Sequence, residues 1–275
     1  MSWRQARQHN CRHNWETLYL YANPIEFIKI TYPTDTFRKI IGDIVSTMSN
    51  ASGSKTFIQM LNLEMGSGKT HLLTLLYHLF FTLRCKYNIP LDDDIKRKLR
   101  EFDYYDFKDR RIVVLPIDFR TKNFKTQLRA WVESLRCEGE DRIAQDLEGR
   151  ISSNYCSDSM PENCLPNPID FAGERGINPK FDVVLIIDEL FYGVKDAAVN
   201  PQIKQSIISM LNFIRSFIDR RREFSDNGKS ALIVLIATAR DDFDWWGGRG
   251  KLSLKSQCLI SLMPLISSYR AYHVL

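Results

Sequence analysis

The chain has 275 residues, 44% of them hydrophobic and 26% charged. That is the balance of an ordinary globular protein with a full core, organised as one large domain or one domain with a small appendage. The net charge of +5 is too mild to argue for nucleic acid by itself, and the apolar runs stop well short of the ~20 residues a membrane span needs.

Residues 1–24 show no clear period and carry Arg4, Arg7 and Arg12 ahead of the first acid, Glu16, so they are expected to form a poorly ordered basic lead-in. The first fifteen have no apolar h-region of a secretory signal, which points to a cytoplasmic protein without membrane contact. Residues 25–30 are apolar and lead to the turn Tyr32-Pro33-Thr34-Asp35. From Asp35 the positions Phe37, Ile40, Ile41, Ile44, Val45 and Met48 follow helical spacing, and Gly53 breaks that helix.

Residues 56–63 read as a buried strand that runs into Gly66-Ser67-Gly68-Lys69-Thr70. A helix over 70–86 follows, with Leu72, Leu73, Leu76, Leu79 and Phe80 inward. A strand turning through glycines into a helix aims backbone N–H groups and the positive helix end at one point, which suits phosphate oxygens. Glycine is needed because the backbone approaches the ligand closely. The full pattern G-x-x-x-x-G-K-[ST] asks for glycine at position 63, where this chain has Leu63. The flanking strand and helix still make this a P-loop for a nucleoside triphosphate, ATP being expected. The phosphate-binding run is Glu64, Met65, Gly66, Ser67, Gly68, Lys69, Thr70 and His71. Lys69 is expected to reach the outer phosphates and the Thr70 hydroxyl to ligate Mg²⁺.

A charge-rich helical excursion over 91–111 precedes a second strand at 112–117. Phe119-Arg120-Thr121-Lys122-Asn123-Phe124-Lys125 reads as a solvated loop, with a nucleic-acid grip as the alternative. Helices are expected over 126–136 and 141–151. Residues 152–180 hold Pro161, Pro166, Pro168 and Pro179 with almost no period, as in a surface insertion. The six cysteines lack any C-x-x-C pair and read as reduced thiols. Cys156 and Cys164 lie eight apart, and no further ligand stands at zinc spacing.

The run Phe181-Asp182-Val183-Val184-Leu185-Ile186-Ile187-Asp188-Glu189 is an apolar strand ending in two acids, the form of a Walker B element. Asp188 is expected to hold Mg²⁺ and Glu189 to activate the attacking water. A helix over 202–221 leads to a last apolar strand at 231–237 ending in Thr238. In ATPases with an extra strand between the P-loop and Walker B strands, the strand on the other side ends in a polar residue that helps orient the water, a role assigned here to Thr238. Arg240 reads as a solvated loop arginine, and Trp245-Trp246 beside Arg249 as an interface or a packing surface for a lid. Lys69, Glu189 and Thr238 are therefore the expected catalytic residues, and Thr70 and Asp188 the metal ligands.

The strand order along the chain resembles that of AAA+ and related additional-strand ATPases. Closer still, the run 65–71, the helix over 72–80, Phe27-Ile28-Lys29-Ile30-Thr31-Tyr32-Pro33-Thr34 and Ile187-Asp188-Glu189-Leu190 resemble a prokaryotic AAA+-like family known as a domain of unknown function. Its members also tend to lack the first P-loop glycine. The resemblance implies an ATPase acting in large prokaryotic complexes, some linked to DNA modification or phage defence. The expected fold is a three-layer α/β P-loop core over 25–275 with about five parallel strands, surface insertions near 91–111 and 152–180, and no lid after the last helix and strand near 257–275. Expected partners are ATP, other proteins or further copies of the chain, with DNA as an open alternative. Two rival readings are a regulatory switch with little turnover and a DNA-translocating motor or helicase subunit.

Overall fold

The structure is a computed structural model that describes residues 20–49, 55–63, 68–84, 91–104, 110–120, 124–157, 160, 163–172, 181–190, 192–193, 200–223 and 231–239. Helix α1 (Pro24–Ile30) occupies the first apolar run, where Pro24 sits in the first helical turn and Asn23 Oδ1 accepts from Ile25 N (3.0 Å) and Glu26 N (3.1 Å). Then come α2 (Asp35–Ser49), β1 (Lys55–Leu63) and α3 (Lys69–Tyr77), which widens into a π turn over His78–Thr82. Next are α4 (Asp93–Glu101), β2 (Ile112–Asp118), α5 (Phe124–Cys137), α6 (Asp141–Ser152) and α7 (Pro168–Ala172). The chain continues with β3 (Asp182–Asp188), α8 (Pro201–Glu223) and β4 (Ala231–Ala239).

All strand pairs are parallel, in the order β1-β4-β3-β2. Side chains alternate across the sheet and feed two cores. Val114, Val184, Ile186, Ile233 and Leu235 pack with α1 to α4 on one face. Val113, Leu115, Val183, Leu185, Leu232 and Val234 pack with α5 to α8 on the other. The architecture is thus three α/β layers, and continuous apolar strands are what burial on both faces requires.

The described residues contain four sheet strands, not about five. The run 25–30, read from sequence only as apolar, forms α1, because Asn23 and Pro24 start a helix there. The far side of β2 is closed by α5: Ser134 Oγ accepts from Val114 N (2.8 Å), Trp131 Nε1 donates to Pro116 O (2.8 Å), and Gln127 Oε1 accepts from Asp118 N (2.6 Å). Alternate backbone groups of an edge strand thus meet side chains spaced at helical intervals, leaving no ladder for another strand. Pro116, which lacks a ladder donor, is tolerated in an edge strand for the same reason. The helix and strand expected near 257–275, and the Arg240 and Trp245-Trp246 readings, lie outside the described residues.

The amino-terminal ends of the strands are pinned by Asp182, which takes Arg110 Nε (2.5 Å), Arg110 Nη2 (2.7 Å) and Ala231 N (2.6 Å). The lead-in is built into the fold from Tyr21 onward, since His78 Nε2 donates to Tyr21 O (2.9 Å). In the insertion, Cys156 and Cys164 are joined in a disulfide, which corrects the expectation of reduced thiols there. Both are buried against the α5–α8 core, so the local turn, and not the wide spacing of the other cysteines, brings these two together. Among the described residues no three His, Cys, Asp or Glu converge to hold a metal, and no helix is long and apolar enough to cross a membrane.

Ser134→Ala leaves the buried Val114 N–H without its partner. It is expected to lower stability by about 1–3 kcal/mol, read as a lower denaturant midpoint at unchanged slope in chemical unfolding.

Candidate functional site

Parallel strands carry their carboxyl ends to one edge, where the crevice of an open α/β sheet lies. That edge gathers Leu63 of β1, Thr238 of β4, Asp188 of β3 and Asp118 of β2. Strand β4 separates β1 from β3, so the threonine-ended strand is itself the intervening one in space. Thr238 pairs with Asn62, and one step earlier in the sheet Ile236 is level with Ile187, next to Asp188.

On the β1 side, Gly68 starts α3 with φ of +86°, a left-handed conformation that favours glycine. Lys69 and Thr70 form the first turn and are half-buried. His71 follows, and its ring lies 4.4 Å from that of Phe27. The Thr31 hydroxyl donates its only proton to Phe27 O (2.6 Å), so the 2.8 Å contact between Thr31 and His71 requires His71 Nε2 to donate. Burial lowers the His71 pKa, in keeping with a neutral ring. His71 is therefore an anchor for the segment around Thr31. Glu64, Met65, Gly66 and Ser67 of the expected phosphate run lie outside the described residues.

On the β3 side, Asp188 is 4% exposed and level with Asp118, which is 3% exposed. Burial pushes the Asp188 carboxyl up to about 7; the charges of Glu189 and Asp118 push the same way, while the Glu189 N–H and Arg120 oppose it. Glu189 N donates to Asp188 Oδ1 (3.0 Å). Glu189 itself adopts φ of +57°, a strained backbone for a glutamate, of the sort that persists only where surrounding contacts impose it.

Those contacts come from two interlocked turns. Gly193 N donates to Glu189 O (3.2 Å), and Phe119 N donates to Asp188 O (3.1 Å). Gly193 lies against the Phe119 ring so closely that an added Cβ would come within 2.8 Å of it. Arg120 N donates to Asp118 Oδ1 (2.9 Å), while the Arg120 guanidinium forms an ion pair with Glu189 and sits 5.8 Å from the Tyr192 ring.

Asp188, Glu189 and the end of β4 lie at one end of the sheet, with β4 standing between β1 and β3 and not on the other side of an extra strand. The structure adds Asp118, Arg120, Tyr192 and Gly193, which sequence reasoning did not place at the site. The loop read as solvated is divided: Phe119 is buried, and Arg120 is exposed but bound to Glu189. The only hint in sequence was Asp118 at the end of the second strand, a position equivalent to that of Asp188.

A carboxylate whose folded pKa exceeds its unfolded value of 3.8 favours the folded state at low pH and loses that contribution as pH rises toward about 7. Asp188→Asn keeps an oxygen for the Glu189 N–H and removes the charge. Its melting temperature is expected to exceed that of the parent chain at pH 8, with the gain shrinking as pH falls toward 4. A thermal melt series in metal-free buffer reads this.

Residues 13–127 match the family model of the DUF499 N-terminal domain. The matched span runs from the lead-in through α3 and β2 into α5, and takes in the glycine loop and residues 27–34; it ends before Asp188 and Glu189. No curated protein and no solved structure matches the chain.

Proposed function

We propose that the chain binds ATP with Mg²⁺ and hydrolyses it as an AAA+-like P-loop ATPase that drives or switches a larger prokaryotic assembly. The observation that carries this reading is the sheet order. It sets the helix begun by Gly68 and the carboxylates of Asp188 and Glu189 at one sheet edge, with the threonine-ended β4 between them. Gly66, Ser67, Gly68 and Lys69 cradle the phosphates, Thr70 and Asp188 hold the metal, Glu189 takes the proton of the attacking water, and Thr238 orients that water.

The residues suit a magnesium ion. Asp188 and Asp118 are hard oxygen donors, and a buried carboxylate with a raised pKa is one that a divalent cation would stabilise in its charged form. Mg²⁺ characteristically takes one or two carboxylates, phosphates and water instead of an all-protein cage. When bound, the ion supplies charge neutralisation for the phosphates.

The Arg120–Glu189 ion pair favours a second reading, a nucleotide switch with low turnover. Strand β2 lies on the side of β3 away from β1, so this pair draws the Glu189 carboxylate away from the phosphate end of the sheet. Links to DNA or phage defence remain part of the proposal by resemblance alone.

Glu189→Gln is expected to retain ATP binding and to lose turnover by at least roughly a hundredfold, measured as phosphate release. Unaltered release would remove Glu189 from the chemistry. Arg120→Ala is expected to raise turnover without changing the KM for ATP; a fall in turnover would mean that Arg120 aligns the base instead of restraining it.

A further inference from the structure

Both peptide planes that flank Glu189 are pinned. The preceding plane is held at Asp188 O by Phe119 N (3.1 Å) and at Glu189 N by the Asp188 carboxylate (3.0 Å). The following plane is held at Glu189 O by Gly193 N (3.2 Å). The two soft dihedrals of a residue are the rotations of the planes on either side of it, so these bonds impose the left-handed φ of +57°.

The two pins meet in one contact. Phe119, which donates to Asp188 O, also lays its side chain on Gly193. A Cβ at position 193 would stand 2.8 Å from Phe119 Cβ and 2.8 Å from Phe119 Cδ1, closer than carbon atoms pack. Gly193 is not among the residues of positive φ, so the position requires the close approach and not left-handed freedom. Phe119 is 4% exposed and packed into the core beneath α5 to α8, so its ring cannot retreat without disturbing that core. Arg120 pairs with the charged end of Glu189, whereas Phe119 and Gly193 act on the backbone that carries it.

We propose that Phe119 and Gly193 are positioning residues for Glu189: their contact holds its backbone left-handed and thereby fixes the direction in which its carboxylate leaves β3. The inference rests on the reading of Glu189 as the base that takes the proton of the attacking water, and adds what aims that base. Once the 189–193 turn is moved off Phe119, Glu189 returns to the negative φ that suits an L side chain, and its Cβ points elsewhere. Proton transfer depends on distance and alignment, so a misdirected base loses rate. The phosphate grip on the β1 side is left as it was.

The test is a double-mutant cycle on the full chain, comparing phosphate release with Mg²⁺ and ATP in the parent, Gly193→Ala, Glu189→Gln and the double variant. Gly193→Ala is expected to lower kcat by roughly tenfold or more with the KM for ATP unchanged. In the Glu189→Gln background it is expected to cause no further fall, because it acts through the side chain already removed. Phe119→Leu keeps a buried apolar side chain without the ring and is expected to follow the same pattern with a smaller loss. It carries the cycle if a thermal melt finds Gly193→Ala unfolded. An unchanged kcat, or an equal fall in the Glu189→Gln background, would overturn the positioning role and leave Glu189 standing as the base. Equal phosphate release in Glu189→Gln and the parent would overturn the catalytic reading of Glu189, and the positioning role with it.

Discussion

Parallel pairing dictates where everything else in this molecule can act. Four strands that run the same way deliver their carboxyl ends to one edge, and the insertion of β4 between β1 and β3 sets the spacing of what they carry. A glycine-started helix leaves that edge from β1, and two carboxylates stand at the end of β3. The amino-terminal ends of the strands are given over to holding them together, through Asp182 and its bonds to Arg110 and Ala231. Chemistry and structural support are thereby separated along the strand direction, so changes to either pole should act on different properties.

Asp188 illustrates how such a site is bound to a cost. Its carboxylate is buried beside Asp118 and Glu189, and the field there opposes ionisation. Core packing alone would be better served by a neutral residue, since buried charge without compensation is destabilising. The strained Glu189 backbone adds to this, held by the Gly193 turn against Phe119. Both features are intelligible if a cation and a reacting water occupy the edge during function.

Much of the fold was legible in sequence because the strands are apolar runs buried on both faces and the helices are amphipathic. The helix from Asp35, the helix at 141–151 and the apolar run closing in Asp188-Glu189 all appear where their periodicity puts them. The apolar run at 25–30 had no such period, and its helix is set by the Asn23 cap and Pro24. The described residues hold four strands, the further one expected near 257–275 lying outside them, and nothing in a linear reading shows that Ser134, Trp131 and Gln127 close the side of β2. Arg120 was read as a loop base because its partner, Glu189, is distant in sequence and close only through the β2–β3 register. The Cys156–Cys164 bond escaped for the opposite reason, since global cysteine spacing says little about a single tight turn.

The most direct measurement is an experimental structure of the full chain with Mg²⁺ and a non-hydrolysable ATP analogue. The proposed site predicts phosphate oxygens on the backbone N–H groups of Gly68, Lys69 and Thr70, with a cation between Thr70 and Asp188. An analogue bound away from that sheet edge, or a cation that avoids Asp188, would contradict it.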